Sequence, residues 1–203
     1  MSMPKEALQE TTASKTRIPC TELTGIYGWL LKKMARKMLG EVPQSAGVMW
    51  HYPTLFKDMM GFGRKVEKWN QLDPNLASFA HIAAAGLIGC SFCVDLNYFM
   101  AHNKGLDEVK AREVPRWRNS DVFTCLERRV MEYAEAMSQT PPSVTDELSA
   151  VLLEELGAPA LVELTARIAF MNSAARGNIA LGIHSQGFSA ACGLQPLATR
   201  LGT

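Results

Sequence analysis

Cys90 and Cys93, in the run GLIGCSFCVDLNYFMAHNKGL, are the residues whose types and spacing point most directly to chemistry. Two thiols three residues apart lie one helical turn from each other and can close a disulfide across it. A cysteine at a helix N-terminus holds a stabilised thiolate, because the unpaired first-turn N–H groups and the helix dipole favour negative charge. Gly89 reads as the C-terminal stop of one helix and Cys90 as the start of the next, so the pair meets that condition. The surroundings of the pair decide whether it works as a redox centre.

The elements that must position it are helical throughout. LTGIYGWLLKKMARKMLG has Leu23, Tyr27, Leu30, Met34 and Met38 at helical spacing, with Lys32, Lys33, Arg36 and Lys37 crowding the other side. That pattern predicts a core helix with a solvated face; a helix lying on a membrane or on another subunit is the alternative. Pro53 opens a helix PTLFKDMMGFGRKVEKW, Asp73-Pro74 precedes NLASFAHIAAAGLI, and SFCVDLNYFMAHNK follows, ended by Gly105. A short helix is expected at LDEVKAR. Ser120 is the predicted N-cap of DVFTCLERRVMEYAEAMSQ and Ser143 that of VTDELSAVLLEEL, before a last long helix PALVELTARIAFMNSAARGNIALGIH. No segment alternates with period two, so the fold class is all-α. Residues 1–20 are polar and read as a flexible N-terminal arm, and residues 21–203 as one domain.

Composition narrows the function. The chain has 203 residues, 47% hydrophobic and 20% charged, with a formal net charge of +1, so no charge field points to nucleic acid. The N-terminal residues contain no apolar run of the secretory kind, and Glu163, Arg167, Asn172 and Arg176 interrupt the segment closest to a membrane span. The expectation is a cytoplasmic protein without a membrane partner. An odd number of cysteines, five, fits a reducing compartment better than a secreted disulfide framework.

The remaining polar candidates have modest roles. A zinc site at Cys90 and Cys93 lacks a second closely spaced ligand pair, and His102 and His184 are isolated, so neither metal nor cofactor is expected. Cys125 reads as a small core hydrophobe, while Cys20 and Cys192 have no evident intrachain partner. Arg176, with Asn172 one turn before it, reads as a tie to carbonyls or to a carboxylate such as Glu127 or Glu132, with an anion clamp as the alternative. Glu163 and Arg167 read as a helical pair of little consequence, and Asp95 as a surface charge or subunit contact. Trp50, His51, Tyr52 and Phe56 line either a pocket above the thiols or a subunit interface.

Three stretches together resemble the carboxymuconolactone decarboxylase and alkylhydroperoxidase-D-like superfamily: AHIAAAGLIGCSFCVDLNYFMAHNKGL, FTCLERRVMEYAEAMSQTPPSVTDEL, and VELTARIAFMNSAARGNIALGI with Glu163, Asn172, Arg176 and Asn178. The resemblance spans roughly residues 45 to 190. It implies an all-α bundle that assembles into homo-trimers or hexamers. It also implies a thiol-dependent peroxidase reaction on a small-molecule hydroperoxide, with an external dithiol as reductant. The peroxidase branch flanks its cysteines with a glutamate and two histidines, whose positions here are Ser78, Phe92 and Asn97. None of these is a base near neutral pH. His81, one turn beyond Ser78, is then the best remaining base. Within that reading Cys90 is the more exposed thiol and meets the reductant, while Cys93 meets the peroxide. Two alternatives keep the fold: a lyase on a small lactone carboxylate, using Arg176 with His51 or His81, and a non-catalytic oligomeric redox-sensing or binding protein.

Overall fold

The computed structural model describes residues 16–198; most of the expected N-terminal arm lies outside them. Every regular element among the described residues is helical: α1 Gly25–Leu39, α2 Gln44–Met49, α3 Pro53–Val66, α4 Pro74–Ile88, α5 Ser91–Asn103, α6 Glu108–Glu113, a 3-10 turn Val114–Asn119, α7 Cys125–Ser138, α8 Asp146–Leu156, α9 Ala158–Ala180 and α10 Phe188–Ala191.

α4 is the axis of the bundle because its sequence is apolar nearly all round, the pattern of a helix with no solvated face. Ala77, Ala80, Ala83, Ala84 and Ala85 are all buried, and their small side chains let α5, α7 and α9 close on it. Phe79 and Ile82 of α4 join Tyr98, Met131, Leu152, Leu164 and Ile168 in one continuous core. Asp73 caps the helix start by accepting from the N–H groups of Asn75 at 2.8 Å and Leu76 at 3.2 Å.

Several boundaries differ from the sequence expectation. α7 starts after Thr124 rather than Ser120, because Thr124 and Glu127 form a reciprocal capping box. The Ser120 carbonyl instead accepts from the Arg128 guanidinium. α8 is capped by Thr145, not Ser143, through a hydrogen bond from the Leu148 N–H. α9 stops at Ala180, before Ile183 and His184. Arg17 donates to the carbonyls of Ile179 and Ala180 at 2.9 and 2.6 Å, so the last part of the expected arm is docked.

α1 also departs from its expected face. Its contact side is Gly28 and Leu31, while Ile26, Trp29, Leu30, Met34 and Met38 are exposed. Gly28 explains the rotation: a Cβ there would stand 2.7 Å from the Leu23 carbonyl carbon and 3.1 Å from the Trp50 ring. Trp50 stacks on Tyr27 and meets Phe56 edge-on, which builds a second, smaller core with Leu23, Leu31 and Ala46.

Two buried acids hold the elements around the thiols. Glu163 accepts from the N–H groups of Gln71 at 2.6 Å and Leu72 at 3.2 Å and from Arg167 at 2.7 Å. Arg167 in turn donates to the Trp69 carbonyl. The pair is buried and ties α9 to the loop that enters α4, contrary to the minor role expected for it. Asp95, expected at the surface, is also buried. It accepts from the hydroxyls of Ser185 and Ser189 at 2.7 and 2.6 Å and from the N–H groups of Phe188 and Ser189 at 2.9 and 3.0 Å. These bonds latch residues 181–197 across α5 as a strap, and Phe188 packs its ring against Phe92 and Phe99.

Glu163→Ala leaves Arg167 buried without its partner, and a loss of about 3–5 kcal/mol is expected in urea unfolding. Burial raises the Asp95 pKa, but the Ser189 and Ser185 hydroxyls and two N–H groups outweigh it and hold it below its ordinary 3.8. A depressed carboxylate stabilises the fold above its unfolded pKa and ceases to as pH falls through its folded one. Asp95→Asn should therefore cost on the order of 2 kcal/mol at neutral pH, with the difference from the parent shrinking in acid.

Candidate functional site

The corner between α4 and α5 is two residues long. Gly89 turns left-handed at φ 86°, and the next residue, Cys90, is the N-cap of α5. The N–H groups of Gly89 and Cys90 both donate to the Ala85 carbonyl, which folds the chain back tightly. Cys90 Sγ accepts from the Cys93 N–H at 3.2 Å, the position in which a thiolate is stabilised by a helix N-terminus. Cys90 and Cys93 are joined in a disulfide with Cα atoms 5.3 Å apart, inside the usual range for such bonds.

The two sulfurs differ in surroundings, not in exposure. Both residues are buried, Cys90 at 1% and Cys93 at 3%, so the expected greater exposure of Cys90 is absent from this oxidised form. Cys93 faces inward. Its Sγ accepts from the Asn178 amide at 3.4 Å, and its carbonyl accepts from the Asn97 amide at 2.7 Å. Asn178 belongs to the buried face of α9 with Ile168, Met171 and Ala175, a register legible in the sequence, although its role at the sulfur was not.

Cys90 instead borders an open cleft of about 480 Å³. One wall is the α4–α5 corner, with Gly86 and Gly89, continued by Ser91, Val94 and Asp95 of α5. The other is the strap, through Ser185, Gly187, Ser189, Ala190 and Leu197. Sequence reasoning missed this second wall, since nothing local relates the strap to the cysteines.

His81 is buried in α4, with Asn97 among its neighbours, and its Nε2 reaches no hydrogen-bond partner. Burial, reinforced by the Arg167 charge, lowers its pKa to about 4, so the ring is neutral at physiological pH. The other candidates stand elsewhere. His51 Nε2 pairs with the Pro19 carbonyl, Trp50 and Phe56 belong to the second core, and Tyr52 is exposed. Arg176 donates to the Ser138 carbonyl at 2.9 Å and the Thr140 hydroxyl at 3.1 Å, while Glu127 pairs with Lys110. The expected tie to a carbonyl is therefore present, and neither Arg176 nor His51 borders the cleft at Cys90.

Relatives carry the same frame. Residues 53–136 match the carboxymuconolactone decarboxylase family. The chain is 37% identical over 153 residues to the uncharacterized protein YnjA of Escherichia coli K12, covering 75% of this chain and 84% of that protein. Among solved structures, the alkylhydroperoxidase AhpD core of a peroxidase-related protein from Ralstonia eutropha superposes with a TM-score of 0.74 at 17% identity, over 85% of this chain and 94% of that one. The debrominase Bmp8 superposes with a TM-score of 0.70 at 20% identity, over 79% and 87%. At these identities the structural likenesses establish the fold, an AhpD-like all-α bundle. The sequence matches make this chain a member of the carboxymuconolactone decarboxylase family.

Proposed function

We propose that the protein is a thiol-dependent oxidoreductase of the alkylhydroperoxidase type, cycling Cys90 and Cys93 between dithiol and disulfide. The observation that carries this reading is the cleft that ends on Cys90, a sulfur at a helix N-terminus with its resolving partner one turn away. The likeness to an alkylhydroperoxidase core supports the choice of substrate class, and the likeness to a debrominase supports reductive chemistry at the same frame.

In the reduced enzyme the Cys90 thiolate attacks the terminal oxygen of the hydroperoxide. The S–O bond forms as the O–O bond breaks, and the alkoxide leaves as the alcohol after taking a proton. Cys93 then attacks the Cys90 sulfenic acid, expelling water and closing the disulfide. An external dithiol restores the pair: its thiolate attacks Cys90 Sγ through the cleft, Cys93 departs as thiolate, and the second thiol of the donor releases Cys90. Both half-reactions pass through Cys90 because the cleft borders that residue. This assignment replaces the expectation that the peroxide meets Cys93.

Charge on the sulfurs is supported by fixed donors rather than by a base. The Cys93 N–H points at Cys90 Sγ, and the Asn178 amide points at Cys93 Sγ. Amides donate without releasing a proton, so they lower the cost of a thiolate over the whole pH range in which the protein is folded. With a pKa of about 4, His81 is a weak base at pH 7, and the proposal gives it a packing role in α4 in place of the relay expected from the sequence.

Cys90→Ser and Cys93→Ser should each lower dithiol-supported turnover of cumene hydroperoxide on the order of a hundredfold or more, and parent-like rates in both would sink the reading. His81→Gln should retain activity within about threefold, and the parent pH–rate profile should rise with thiol ionisation without an inflection near 6.5. A histidine limb there, lost in His81→Gln, would restore His81 as the base. Asn178→Ala should raise the Cys93 thiol pKa, read by thiolate absorbance in the Cys90→Ser background, without moving the Cys20 or Cys125 signals.

A further inference from the structure

α1 stands outside both the thiol centre and the stretch 53–136 that matches the family. It turns an apolar side outward. Ile26, Leu30, Met34 and Met38, spaced four apart, form one stripe of exposed side chains, with Ile26 83% exposed. Single exposed apolar residues are ordinary, but a contiguous run of them marks a surface that meets an apolar phase or a partner. The row beside the stripe is Trp29, Lys33 and Lys37, and Lys33 Nζ lies 5.5 Å from the centre of the Trp29 ring. Arg36 is exposed as well, and Lys57 of α3 adds a cation over the Tyr27 ring at 4.8 Å. α1 contains no acidic residue, and Glu22 in the preceding loop pairs with the partly buried Lys32 at 3.0 Å. The exposed side of the helix is therefore apolar and positively charged together.

We propose that α1 lies on anionic lipid bilayers and lays Ile26, Leu30, Met34 and Met38 into the headgroup layer, in place of the expectation of no membrane partner. Charge selects the occupant. A second copy seated face to face on this stripe would crowd Lys33, Arg36 and Lys37 of both copies into one interface, with no acid from either α1. Anionic headgroups neutralise the same residues, and the long lysine stems let the stripe sink while the ammonium groups stay among the headgroups. Trp29 supplies the amphipathic ring that such a layer favours. The helix lies on the bilayer and does not cross it. Its 15 residues span about 22 Å, short of the roughly 30 Å hydrocarbon core, and no helix among the described residues is long and apolar enough to cross. The proposal stands on α1 alone and is independent of the chemistry at Cys90.

Sedimentation of the full chain with vesicles tests this, using phosphatidylcholine alone and phosphatidylcholine with about 30% phosphatidylglycerol. Partitioning onto the anionic vesicles should be about tenfold stronger or more, and should weaken as salt rises from about 0.1 to 0.5 M. Tryptophan emission should shift to the blue on binding, and Trp29→Phe should remove the shift. The double variants Ile26→Gln/Leu30→Gln and Lys33→Gln/Lys37→Gln should each weaken binding on the order of tenfold. All four of these side chains are exposed, so the circular dichroism and melting temperature of both variants should match the parent. Equal partitioning onto neutral and anionic vesicles would overturn the proposal. Anionic binding undiminished in folded Ile26→Gln/Leu30→Gln protein would do the same. A parent that ignores both kinds of vesicle overturns it as well. If the same variants then dissociate an assembly of the parent, the face belongs to a second copy.

Discussion

The left-handed turn at Gly89 is the local constraint on which the thiol centre depends. At φ 86° a side chain would be strained by about 1–2 kcal/mol, and glycine removes that cost. The turn ends α4, folds the N–H groups of Gly89 and Cys90 back on the Ala85 carbonyl, and delivers Cys90 as the N-cap of α5. Cys93 falls one turn later, so the helix that orients the pair also supplies the N–H that polarises Cys90. Disulfide reach and thiolate stabilisation thus share one origin, the register of α5 relative to Gly89.

What keeps the corner in place is polar satisfaction in a buried setting. A carboxylate in an apolar bundle is tolerable only when its oxygens are hydrogen-bonded. Glu163 and Asp95 meet this condition with backbone N–H groups of segments that have no ladder of their own. Glu163 pins Gln71 and Leu72 at the entrance to α4, and Asp95 pins Phe188 and Ser189 over its exit. These contacts span more than ninety residues of chain, and through them the loops before α4 and after α9 acquire fixed positions around the thiols.

The same economy appears at the sulfurs. At the positions where the family resemblance implies ionisable groups, this chain has Ser78, Phe92 and Asn97, and the donors at the sulfurs are the Cys93 N–H and the Asn178 amide. Amides fix orientation and stabilise charge without titrating. His81 is neutral because burial denies it solvent, and a sequence reading that knows only its one-turn spacing from Ser78 has no access to that burial.

Local rules carried the reading of the sequence a long way. Helical periodicity, the Asp73-Pro74 start, the Gly89 stop and the placement of Cys90 at a helix start all depend on residues within a turn or two of each other. The structure has them as read. Errors began where two local signals competed, as with Ser120 against Thr124, where only the Glu127 partner completes the capping box. They grew where partners are distant: Asp95 with the strap, Glu163 with the α4 entrance, Gly28 beneath Trp50. Local sequence is enough for an all-helical chain with a thiol pair at a helix N-terminus, because backbone hydrogen bonding and capping are satisfied nearby. Which cysteine borders the cleft, what else lines it and whether His81 is charged depend on how the chain packs, because burial and long-range pairing are properties of the packed chain.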